Sequence, residues 1–200
     1  MRVILIGASG TIGREVAKTL QLEHEVVTAG RSGGTLHVDM AEPVSIESMY
    51  RQAGTFDAVV STAGAAKFGA LAELGYDDYL FSFRNKLMGQ ANLVRIGQSF
   101  INDNGSFTLT SGVLARDPMP GSSAISMVNA GLEGFVRAAQ LELERGLRVN
   151  VVSPVWVQET LIALGRDPAG GMPAARVALA YLAGVNGTMR GEVLDVRDYV

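Results

Sequence analysis

Apolar positions along this chain follow two alternating rhythms. Short runs rich in aliphatic residues fall at Arg2 to Ile6, His24 to Thr28, Leu36 to Val38, Phe56 to Val60, Ser106 to Thr110, Leu147 to Val152 and Glu192 to Val196. The first of them shows no polar alternation, as expected of a strand buried on both faces of a parallel sheet. Between the runs, Thr11 to Leu20, Ser45 to Ala53, Tyr79 to Phe100, Ser122 to Arg145 and a stretch near Pro173 to Leu182 read as helices. In the two longest, Leu80, Phe83, Leu87, Ala91, Val94 and Ile96, then Val128, Leu132, Phe135, Val136, Ala139 and Leu143, mark apolar faces at helical spacing. Strand and helix in alternation predict a single α/β domain over residues 1–200, doubly wound, with about seven parallel strands and helices on both faces.

The first strand runs straight into Gly7, Gly10 and Gly13, a G-x-x-G-x-x-G turn that opens a helix. Such a turn brings backbone N–H groups and the positive end of a helix against a pyrophosphate, which predicts a dinucleotide-binding Rossmann fold. Ser9, Thr11 and Ile12 belong to the same turn and are candidate cofactor contacts. After the second strand the chain reads Thr28-Ala29-Gly30-Arg31-Ser32, with no acid to hold a ribose 2′-hydroxyl. An arginine there suits a 2′-phosphate, so NADP(H) is expected over NAD(H); the alternative is an ordinary solvated loop cation. Asp39 suits the adenine amino group or the cap of the next helix, whose start Pro43 sets a little later. Ser61, Ala63 and Gly64 end the fourth strand with small residues, where the strand order is expected to reverse and a cleft to open.

Composition narrows the chemistry. A net charge of −3 gives no reason to expect a nucleic-acid or anionic-membrane partner. The chain has no cysteine and only two histidines, His24 and His37, which excludes thiolate chemistry and leaves no set for a metal cluster or a serine-histidine triad. No apolar stretch approaches a membrane span or a signal-peptide core, and a cytoplasmic location is the default expectation.

The order of GASGTIG at 7–13, GRS at 30–32, Asp39, STAG at 61–64, a strand ending at Ser111, NAGLEGFVRAAQLEL at 129–143 and RVNVVSP at 148–154 resembles the short-chain dehydrogenase/reductase family over almost the whole chain. The glycine spacing is closer to that of its extended or atypical members. The resemblance implies nicotinamide-dependent oxidoreduction with a serine, a proton-donating tyrosine and a lysine four residues later. Here those positions fall on Gly112, Ile125 and Asn129. No slip restores the pair, because there is no tyrosine between Tyr79 and Tyr181 and no lysine after Lys86. Isoleucine supplies no proton, whereas Asn129 still donates to a ribose hydroxyl.

Lys86 stands where the family has the asparagine of Asn-x-x-Gly, which the resemblance sets facing the cleft. A partly desolvated lysine there would serve as acid or electrostatic clamp; a solvated surface lysine is the alternative. Ser111 is the second candidate, for a carbonyl oxygen or merely for its own turn. The resemblance further sets Pro154, the Val157 backbone and Thr160 beside the nicotinamide carboxamide, although Val155 replaces a glycine and the spacing is one longer. Glu159, the one carboxylate near the cleft mouth, is read as solvated, and Trp156, the only tryptophan, as core in preference to a cover for the nicotinamide face. Two functions follow: an NADP-dependent reductase of a small carbonyl compound with a degenerate site, or a non-catalytic NADP(H) sensor. The resemblance also implies a homodimer or homotetramer through the two long helices.

Overall fold

A computed structural model describes residues 1–199. Its sheet has seven strands, all parallel, in the order β3-β2-β1-β4-β5-β6-β7. They are β1 (Arg2–Ile6), β2 (Glu25–Gly30), β3 (Leu36–His37), β4 (Ala58–Ser61), β5 (Ser106–Thr110), β6 (Arg148–Ser153) and β7 (Val193–Asp195). The helices are α1 (Thr11–Gln21), α2 (Pro43–Ala53), α3 (Tyr76–Ser82), α4 (Gly89–Gly97), α5 (Ser123–Gln140), α6 (Gln158–Ala163) and α7 (Ala174–Asn186). Strand β1 shows why the sheet sits between two helical layers. Val3 and Leu5 pack with Val16 and Leu20 of α1 and Val177 and Tyr181 of α7, while Ile4 and Ile6 face Ile46 and Tyr50 of α2, Leu93 of α4 and Leu132 of α5. Because the chain runs outward from β1 in one direction and then returns to β4 on its other side, the strand order reverses between β1 and β4. A crevice opens there, at the carboxyl ends of the strands.

Four departures from the sequence reading bear on the site. Tyr79 to Phe100 is not one regular helix: α3 passes through a π-helical turn, Phe83–Met88, before α4 begins. Such a turn holds one more residue than an α turn and is frequent at functional sites; a 3.6-residue apolar period does not signal it. Helix α2 begins at Pro43 itself, with Glu42 as N-cap. Asp39 does not cap it. Its carboxylate instead accepts the Ala41 N–H at 3.0 Å, while its own N–H donates to Ser45 Oγ at 2.9 Å. Helix α5 stops at Gln140, whose side chain ties it to the start of β6, donating to Leu147 O and accepting from Val149 N. Leu141 to Leu143 continue only as turns bonded to residues three or four back. Finally, the helices read from the sequence do not include α6.

Candidate functional site

The crevice divides into two connected hollows that share Ala63 and Gly64 as a common wall. The first, about 280 Å³, is lined by Gly7, Ser9, Arg31, Ser32, Asp39 and Asn85 among others. The glycine turn is built by close approach. Gly7 has φ +89°, and a Cβ on Gly13 would sit 2.0 Å from the Gly7 carbonyl oxygen. Thr62 fastens the turn to the end of β4, its hydroxyl lying 3.1 Å from Ile6 O and 3.2 Å from Gly7 O. Gly10 is the N-cap of α1 and Thr11 its first residue, with no side chain satisfying the helix end. Those free N–H groups are donors for an anion. Arg31 and Ser32 are exposed at the rim, and Arg31 forms no ion pair among the described residues. Ser61 is corrected: it is fully buried, its hydroxyl turned to Met40 and Ala63 O, and it lines neither hollow.

The second hollow, about 360 Å³, is lined by Lys86, Ser111, Gly112, Asn129, Pro154, Val157 and Thr160 and walled by Ile12, Val113, Leu114, Ile125, Val155 and Trp156. Lys86 comes from the π-helical turn and is only 8% exposed. Its Nζ donates to the carbonyl oxygen of Ser111 at 3.1 Å, and burial lowers its pKa from 10.5 to about 8. Gly64 makes room for it, since a Cβ there would lie 2.9 Å from Lys86 Cγ. Lys86 is the only charged side chain lining this hollow among the described residues.

Ser111 contributes its carbonyl rather than its hydroxyl. The hydroxyl hydrogen has two acceptors behind the cleft, Asn129 O at 3.3 Å and Glu133 Oε1 at 3.2 Å, so it is not a free donor to a substrate. Glu133, 5% exposed, is a partner the sequence did not reveal. It lies 3.7 Å from Arg116, which reaches on to Asp195 at 3.4 Å. Gln90 is a second such residue. It accepts the Thr110 N–H at 2.7 Å and donates to Thr110 O at 2.8 Å, completing β5 on the side where β4 has ended. No apolar period marks either residue, and only their apolar surroundings betray them.

Asn129 is 1% exposed and donates from Nδ2 to Gly112 O at 3.4 Å, while its Oδ1 meets no hydrogen-bond partner. An idle buried acceptor on a cleft wall fits a hydroxyl such as that of a ribose. Together with the cradle at Gly7 and Gly13, it makes the crevice fit a nicotinamide dinucleotide. Trp156 is corrected. It is half-buried on the wall rather than in the core. Glu159 is exposed, as read, and its carboxylate also accepts the Ala174 N–H at 3.0 and 3.1 Å, at the start of α7. The Val157 carbonyl is already engaged by Thr160 N and Leu161 N as α6 begins.

A family model described as enoyl-(acyl carrier protein) reductase matches residues 7–186. The chain belongs to the short-chain dehydrogenase/reductase family. Within that family it is 28% identical over 177 residues to hydroxynaphthalene reductase arp2 of Aspergillus fumigatus, covering 82% of this chain and 65% of that protein's length. It is 26% identical over 175 residues to the mouse (Mus musculus) 3-oxoacyl-[acyl-carrier-protein] reductase, covering 77% and 74% of the two chains. Among solved structures, the protein lin1944 of Listeria innocua is 41% identical, with a TM-score of 0.94 over 98% of this chain and 99% of that one. A small-chain dehydrogenase in complex with NADPH is 27% identical, with a TM-score of 0.86 over 98% and 95%. No helix among the described residues of this short-chain dehydrogenase/reductase is long and apolar enough to cross a membrane. No group of three or more potential metal ligands occurs among them either.

Proposed function

We propose that the protein is an NADP(H)-dependent reductase of a small carbonyl compound in which Lys86 supplies the proton. The observation that carries this reading is a buried lysine with a pKa lowered to about 8, the one charged group among the described residues on the wall of an apolar cleft. The N–H groups of Thr11 and Ile12 would hold the pyrophosphate over the tight turn that Gly7 and Gly10 allow, Asn129 a ribose hydroxyl, Arg31 and Ser32 the 2′-phosphate, and Asp39 the adenine amino group. Pro154, Val157 and Thr160 would flank the nicotinamide. Bound in this way, the reduced nicotinamide supplies a hydride. The carbonyl oxygen then needs a proton, and a lysine with a pKa near ambient pH both holds one and releases it readily. Ile125, on the same wall, offers none. The NADPH complex of a relative supports the choice of nucleotide, as does the absence of an acid between Thr28 and Ser32.

The sensor reading is favoured by one observation, the commitment of the Ser111 hydroxyl to Asn129 and Glu133 behind the cleft. Titration with NADPH, NADP⁺, NADH and NAD⁺, followed by turnover of a carbonyl panel, separates the two. Oxidation of NADPH that is lost in Lys86→Met supports the reductase; tight NADPH binding with no turnover on any member supports the sensor. Binding of no dinucleotide overturns both. A homo-oligomer is part of the proposal, supported by Phe81, Phe83 and Met127 standing exposed on the two long helical segments. Light scattering showing a monomer at micromolar concentration would remove it.

A further inference from the structure

The outer lip of the catalytic hollow is unlike its floor. Trp156 stands half-buried on the wall, and the guanidinium of Arg166 lies over its ring, 5.9 Å from the centroid. Both side chains belong to one clasped loop. Met172 N donates to Trp156 O at 2.8 Å and Gln158 N to Met172 O at 3.0 Å, closing the ends, while Arg166 N donates to Leu161 O at 2.9 Å. The arginine forms no ion pair among the described residues. Both nearby carboxylates are turned elsewhere: Glu159 to Ala174 N and Asp167 to Ala169 N at 2.9 Å. No acidic side chain among the described residues lines the hollow, and Val113, Leu114, Ile125 and Val155 make its walls apolar. An apolar slot with an aromatic side chain on its wall and, just outside its lining, an exposed unneutralised cation over that side chain is complementary to a ligand with an apolar body and a negative end.

We propose that the substrate is a carbonyl compound with a flat apolar body that stacks on Trp156 and a carboxylate or other anionic group that meets Arg166. The carbonyl part of this statement rests on the reductase reading; the apolar body and the anion rest on the loop alone. Arg166 is solvent-exposed, so screening holds its contribution to a few-fold in affinity rather than orders of magnitude.

The test is calorimetric binding of 2-naphthoate and its neutral isostere 2-naphthamide to the full chain saturated with NADP⁺. Wild type is compared with Arg166→Gln and Trp156→Leu. The expected result is roughly fivefold tighter binding of the naphthoate in wild type at low salt. That preference disappears in Arg166→Gln while naphthamide affinity stays unchanged, and both ligands weaken in Trp156→Leu. Equal affinity for the two ligands, no binding of either, or a preference that survives Arg166→Gln would overturn the proposal. The affinity of NADP⁺ itself, measured in the same variants, is expected to be unchanged in Arg166→Gln. A loss there would assign the arginine to the nucleotide and also overturn it. Absence of turnover on every carbonyl would sink the reductase reading yet leave these affinities readable, so the two failures are distinct.

Discussion

The two hollows that meet at Ala63 and Gly64 are built by different means. The hollow at Gly7 is made largely of backbone: a positive-φ glycine, a second glycine packed against its carbonyl, and the open end of α1. Its charged side chains, Arg31 and Asp39, are exposed or half-buried at the edges. At Lys86 the backbone is only the support. There a buried amine, an amide oxygen of Asn129 without a partner and the Trp156 indole line the wall. A backbone site tolerates changes of side chain around it and keeps its ligand class; a side-chain site changes its chemistry with one substitution. Under the proposed reading, with Ile125 and Asn129 at the tyrosine and lysine positions of the family, the crevice keeps its form while the floor beside it changes.

The sharpest way to separate the hollows is Lys86→Met, which fills the same volume without a charge. Reduction is expected to fall by about 10²–10⁴-fold, the usual contribution of a positioned acid, with NADPH affinity unchanged by equilibrium titration. In wild type the reduction rate should hold below pH 8 and decline above it, because the lysine must carry its proton; the variant should lose that limb. Stability gives an independent reading. Below pH 8 both folded and unfolded chains bind the proton, and the folded state bears the full cost of burying it. Between about 8 and 10.5 only the unfolded chain binds it, so stability rises with pH across that window. The displacement corresponds to at most about 3 kcal/mol. Lys86→Met should therefore be more stable than wild type at pH 7 by up to that amount in denaturant melts, with no rise between pH 8 and 10.5. A variant equally stable at pH 7 would show that the ammonium is well solvated.

Gly64→Ala is the next largest effect, and it acts on the shared wall. The residue has φ +154° and its missing Cβ is what allows the Lys86 stem to pass. An alanine imposes a backbone cost of order 1–3 kcal/mol and displaces the lysine from Ser111 O. Turnover is expected to drop by about tenfold, with the limb at pH 8 moved upward as the amine becomes more solvated. An unchanged limb in a folded variant would show that Lys86 does not need its present seat.

These contrasts also explain which parts of the molecule were legible in the sequence. Backbone requirements leave compositional marks: unbroken aliphatic strands such as Val3 to Ile6, and glycines at 7, 10 and 13, announced the sheet, the crevice and its ligand class. Lys86 could be placed on the cleft because it replaces a residue of a recognisable pattern. The π-helical turn that presents it could not, since one extra residue in a turn alters no apolar period. Glu133 and Gln90 were silent for a related reason: a polar residue on a helix reads as solvated until the neighbouring strand end is known to lack a partner. Trp156 was misplaced by a rule about burial that holds for tryptophan on average and fails on a cleft wall.

The smallest expected effect belongs to the backbone-built hollow, and it tests whether side chains matter there at all. Arg31 is exposed and forms no ion pair among the described residues, so Arg31→Ala removes nothing the fold depends on. If the arginine meets a 2′-phosphate, its loss takes away one charge-assisted hydrogen bond, roughly tenfold in NADPH affinity. NADH lacks that phosphate and should bind the variant as it binds wild type. The preference for NADPH would then narrow with no change in the pH limb set by Lys86, leaving one hollow altered and the other intact. Equal weakening of both nucleotides would instead place Arg31 near the pyrophosphate or the adenine ring. No change in either would make the glycine turn and α1 sufficient by themselves, and the preference would have to reside in Ser32 or the backbone around it.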